Sequence, residues 1–158
     1  MSVIAIELAM HHLLAEPDDQ VLVQAQLDAA EGAAMDYLNR RFYADDVALT
    51  AAKDGVQAFL VAARTANAAA IAAAEAEEDH AVRCRLLDHA RQALADAYDQ
   101  ADAIAYGLVI TPAITAACLL KLGHLFANRE EVVTGTIATE LPMASKALLN
   151  PARVRMGV

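Results

Sequence analysis

Between Gly55 and Gly107 the chain has neither glycine nor proline, and alanine is its commonest residue there. A backbone so composed has every local reason to stay helical and no punctuation to stop it. One unbroken helix would be about 75 Å long at 1.5 Å per residue, more than a small domain can support along its whole length. A reversal is therefore expected inside the segment, and Glu75-Ala76-Glu77-Glu78-Asp79 is the best place for it. Beyond that cluster Leu86, Leu87, Ala90, Leu94, Ala97, Ala101 and Ile104 form one stripe, with Asp88, Gln92, Asp96 and Asp99 opposite. The segment reads as an antiparallel alanine-rich hairpin, inserted at about residues 44–107.

Helices are expected on both sides of the insert. Residues 4–14 place Ile4, Leu8 and His11 or His12 on one helical face, and Glu16-Pro17-Asp18-Asp19 follows as a turn. Asp18 or Asp19 can accept hydrogen bonds from the free N–H groups of a second helix, which carries Val21, Leu22, Leu27, Ala30, Ala34, Met35 and Leu38 and runs to about Asn39. Arg40 and Arg41 sit at its partly negative C-terminal end, and Phe42-Tyr43 begins a connector. Thr111-Pro112 is a helix entry, with threonine as cap and proline where its missing N–H costs nothing. Ile114, Cys118, Leu122 and Leu125 then form a face that Ala117, Leu119, Leu120 and Phe126 widen. After Asn128, residues 132–139 are β-prone and read as an extended arm or small hairpin, and residues 144–149 as a last helical turn. The expected fold is all-α: a small helical bundle in one domain spanning residues 1–158, with a hairpin insert and an extended C-terminal arm.

Composition narrows the function. Apolar residues make up 58% of the chain, but much of that share is alanine, and no long stretch is apolar without a charge. A soluble, cytosolic chain without membrane contact is expected, its Cys84 and Cys118 two separate buried thiols. A net charge of -9 argues against a surface that grips nucleic-acid phosphates, which clustered lysine and arginine would carry. No GxSxG, GxxxxGK[ST] or GxGxxG motif is present, so the usual nucleophile elbow and phosphate cradles are missing and no catalytic residue is assigned. Glu77-x-x-His80 matches half of a helical di-iron signature, and His80 and Cys84 share a helical face, but the second half is absent. No cofactor or metal is expected. A small helical metal- or ligand-binding bundle remains the alternative reading.

The C-terminal region carries a resemblance. Its elements are Thr111-Pro112-Ala113-Ile114, Leu119-Leu120, residues 124–136 with Asn128-Arg129-Glu130-Glu131, then Glu140-Leu141-Pro142 and residues 147–154. An Asn-Arg-Glu turn after an apolar helix, followed by Leu-Pro and Leu-Leu-x-Pro-x-Arg, resembles the phage head-tail connector family. Glu7-Leu8-Ala9, His12-Leu13, Asp18-Asp19 and the stretch from Ala29-Ala30-Glu31 through Tyr37-Leu38-Asn39-Arg40 look like that family's first two helices. The matches cover a little over half the chain. Phe126 departs from a frequent larger aromatic pair, Ala152 from a frequent aromatic before the arginine, and residues 44–107 are longer than in small members.

The resemblance implies a non-enzymatic virion assembly protein. It would form a homo-oligomeric ring on the portal protein, in the neck of a tailed phage or prophage particle assembled in the bacterial cytoplasm, and would receive a tail or second adaptor protein. DNA would pass through the channel without specific binding, which an acidic lining would favour. Arg129, Glu130, Glu131 and Arg153 are the candidate contacts between subunits.

Overall fold

Burial of short apolar stripes decides where each helix lies. The computed structural model describes residues 2–128 and 144–154. Among them are helices α1 (Ile6–Leu13), α2 (Gln20–Leu38), α3 (Asp46–Asp54), α4 (Val56–Glu75), α5 (His80–Ala105), α6 (Pro112–Ala127) and α7 (Ala144–Leu149). Two-residue strands β1 (Phe42–Tyr43) and β2 (Leu108–Val109) complete the regular structure with two short 3-10 turns, so the class is all-α. The contacts divide the described residues into two compact units, one drawn from residues 1–46 and 108–158, the other residues 47–107.

In the first unit α2 and α6 form the centre, with α1 and α7 packed on them. Leu27, Leu38, Ile114, Leu122, Val23 and Cys118 are its largest fully buried side chains. Helix α6 starts as expected: the Thr111 hydroxyl accepts the Ile114 N–H at 3.4 Å, with Pro112 in the first turn. Helix α2 ends on Asn39 in the left-handed conformation, φ 53°. There the Asn39 and Arg40 N–H groups donate to the carbonyls of Asp36 and Met35, the kind of C-terminal closure in which Asn is tolerated.

Several apolar positions face elsewhere than the sequence suggested. In α1 the buried residue is Ala9, whereas Leu8 is 48% exposed. Ile4 is buried from outside the helix, because the Glu31 carboxylate accepts the N–H groups of Val3 at 2.8 Å and Ile4 at 2.8 Å. Val21, 83% exposed, lies in a first helical turn that nothing described covers, and Leu120 faces solvent on α6. Strands β1 and β2 pair in parallel, Phe42 opposite Leu108 and Tyr43 opposite Val109, so the chain leaves the first unit and returns to it at adjacent points.

The second unit is the hairpin. Helix α4 ends at Glu75 and α5 begins at His80, with Asp79 as cap: its carboxylate accepts the N–H groups of Ala81 at 2.7 Å and Val82 at 3.1 Å. On α3 and α4 the residues turned away from solvent include Ala52, Val56, Leu60, Ala63, Asn67, Ile71 and Ala74; on α5 they include Leu87, Ala90, Leu94, Ala97, Ala101 and Ile104. Leu86 lies off that stripe, exposed. The small alanines let the two helices run close together.

Asn67 is the polar exception in this seam, and its Oδ1 is buried without a hydrogen-bond partner. An orphaned acceptor costs about 1–3 kcal/mol, so Asn67→Leu is expected to stabilise the hairpin by about 1 kcal/mol. Urea titration of the variant followed by far-ultraviolet dichroism measures this; an unchanged or lower midpoint contradicts it.

One helical stretch among the described residues, Asp46–Glu75, is long and apolar enough to cross a membrane by length and composition, its best window having a mean hydropathy of 1.3. The stretch is not free of charge, since Lys53, Asp54 and Arg64 lie within it. Alanine is the commonest residue of this stretch, and α5 with its many charges packs along α4.

Candidate intersubunit surface

The end of α2 and the chain after α7 form one corner of the first unit. Leu149 is buried, and residues Asn150–Ala152 make a 3-10 turn that brings the chain back over the last turn of α2. The Tyr37 hydroxyl bonds the Asn150 side chain. The Asn39 amide donates to the Val154 carbonyl at 3.1 Å, and the Val154 N–H donates to the Leu38 carbonyl at 3.1 Å. The Arg40 guanidinium donates to the Ala152 carbonyl at 3.0 Å. The bonds to the Leu38, Ala152 and Val154 carbonyls satisfy backbone groups that the end of a helix or a turn leaves open.

Arg153 completes the corner. Its guanidinium carbon stands 4.7 Å from the centre of the Tyr37 ring, a cation–π contact. Its Nε is buried with no hydrogen-bond partner among the described residues. Of the four residues the sequence nominated for contacts between subunits, Arg153 is thus engaged inside its own unit, while Arg129, Glu130 and Glu131 lie outside the described residues, as does the expected arm at 132–139.

Beside this corner a pocket of about 130 Å³ opens between α2, α6 and α7. Alanines of α2 and α6 and Leu149 form its apolar lining, and Tyr37, Ser145, Lys121 and Lys146 its polar lining. The chain has only three lysines, Lys53 being the third. Sequence reading missed this pair because the two lysines lie on separate helices; their rarity was the only signal.

The titratable groups in the core do structural work. Glu31 is 2% exposed, and desolvation raises its pKa above the usual carboxylate value despite its bonds to Val3 and Ile4. Burial, aided by the nearby Glu31 charge, pushes the Cys118 thiol up to about 12. A thiol so protonated and enclosed is inert. Cys84, by contrast, is exposed, a correction to the expectation of two buried thiols. In the native protein an aromatic disulfide reagent at pH 8 is expected to release one thiol equivalent quickly, from Cys84, and the second only on unfolding. Fast release of two equivalents contradicts the placement of Cys118.

His80 stands 3.8 Å from Cys84 through its Nε2, but no group of three or more His, Cys, Asp or Glu side chains suited to a metal ion occurs among the described residues. Comparison with protein-family models, with curated proteins and with solved structures finds no match.

Proposed function

We propose that this chain is a ring-forming subunit that joins the portal of a tailed-phage or prophage capsid to the next tail component, a task of binding geometry without catalysis. The observation that carries the reading is the corner at the end of α2. Two of the segments that resemble the connector family, Tyr37-Leu38-Asn39-Arg40 and residues 147–154, lie far apart in sequence and pack on each other through four polar contacts and the Arg153–Tyr37 contact. Resembling residues that cooperate in one piece of structure support a shared architecture better than the same residues scattered would. The net charge of -9 suits a channel through which DNA slides without sticking.

Deletion of the gene from its parent phage or prophage tests the role. The expected result is filled heads that lack tails, with infectivity restored by the gene in trans; normal infectious particles refute the reading. Electron microscopy of the purified chain mixed with its portal is expected to show an added ring of density at the portal's outer end.

A further inference from the structure

We infer that the pocket flanked by Lys121 and Lys146 on one subunit receives the acidic turn of the α4–α5 hairpin of a second copy, through Glu75 and Glu78. Copies of a chain with net charge -9 repel one another, so a contact between them needs a local positive patch set against a negative one. Most described cations are already engaged: Arg40 with the Ala152 carbonyl, Arg41 with the Met35 sulfur, Arg64 with the Tyr98 hydroxyl, Arg83 with the Glu77 carbonyl, Arg91 with Asp88 and Arg153 with the Tyr37 ring. Lys121 and Lys146 have no ion-pair partner among the described residues and share one concave pocket.

The turn supplies the complement. Of its four carboxylates, Asp79 caps α5 and Glu77 accepts the Asp79 N–H at 3.3 Å, which leaves Glu75 and Glu78 exposed and without a partner among the described residues. Two free carboxylates thus answer two free ammonium groups. The apolar lining from Ala30, Ala34, Ala117 and Leu149 suits the methylene stem of a glutamate whose head reaches a lysine. Because pocket and turn are different surfaces, the contact is head-to-tail, the type that closes into a ring when the rotation per subunit allows. The inference rests on the ring reading for its setting, but its test needs neither phage nor portal.

The experiment is sedimentation equilibrium of the full chain at about 0.02 M and about 0.5 M salt, where screening lengths differ several-fold. Two variants are compared, Lys121→Glu with Lys146→Glu and Glu75→Lys with Glu78→Lys, each first matched to the parent in helicity and melting temperature. The parent is expected to self-associate at low salt, each variant alone to associate at least tenfold more weakly, and a one-to-one mixture to recover the parent's association. Recovery on mixing arises because each variant's pocket then opposes the other's turn. A monomeric parent, a variant that associates like the parent, or a mixture no stronger than its components overturns the inference. Success here with normal particles from the deleted phage would leave the contact standing and remove the connector role.

Discussion

Leu122→Ala is expected to lower the stability of the first unit by about 3 kcal/mol, with a fall in melting temperature on the order of 10 °C or more. Leu122 is fully buried between α6 and α2, in a cluster with Leu27, Ile114 and Cys118. Truncation removes three carbons and leaves a void that two long helices cannot close without giving up their other contacts. Leu120→Ala, two residues earlier on the exposed side of the same helix, is the control and should change stability by less than about 1 kcal/mol. Cys118 gives a reading specific to this unit: its labelling by a thiol reagent should speed up in Leu122→Ala and not in Leu120→Ala. Equal labelling rates in the two variants would place Leu122 outside the core.

Glu31→Ala is expected to cost about 2–4 kcal/mol, and Glu31→Gln less than about 1 kcal/mol. Alanine leaves the Val3 and Ile4 N–H groups without their acceptor and frees the segment that buries Ile4. Glutamine keeps one oxygen in place of Oε1, which accepts both N–H groups at 3.1 and 2.8 Å, and removes a desolvated charge. The pH dependence separates charge from bonding. The folded carboxyl holds its proton above the unfolded value of 4.5, so just above that pH the folded chain binds more protons than the unfolded one. Stability from this group is therefore greatest below 4.5 and falls as pH rises through the raised value. Subtracting the Glu31→Gln stability curve from the parent's isolates this slope. A difference that rises with pH over that window would mean the backbone bonds outweigh desolvation.

Local signals were legible where local chemistry decides. Thr111-Pro112 announced α6, Asn39 closed α2, and the acidic run 75–79 marked the reversal because an N-cap and the first charges of a new stripe coincide there. Faces were harder. In α1, Leu8, Ala9 and Met10 are all apolar, so the sequence allows overlapping stripes, and ahead of the helix Ile4 reaches the core where Glu31 of another helix holds its N–H. A glutamate in α2 reads as surface until its partners, more than twenty residues away, are known. The β1–β2 pairing and the Lys121–Lys146 pocket likewise join residues whose separation in sequence carries no periodic trace. The nominated contacts at 129–131 followed a resemblance, whereas the cations that share a pocket emerged only when α6 and α7 were brought together.

The two faces of the hairpin keep different time. Along α3 and α4 the inward residues step four, four and three, an eleven-residue period, while along α5 they alternate three and four, a seven-residue period. At about 100° per residue the first pattern advances roughly 20° each repeat and the second falls back roughly 20°, so the two lines of contact wind in opposite senses. They can oppose each other over a few turns and then must part. The hairpin therefore carries its own ruler: duplicating a stretch of it would splay the added turns instead of lengthening the seam, and tolerated changes of length belong at its turn or its base.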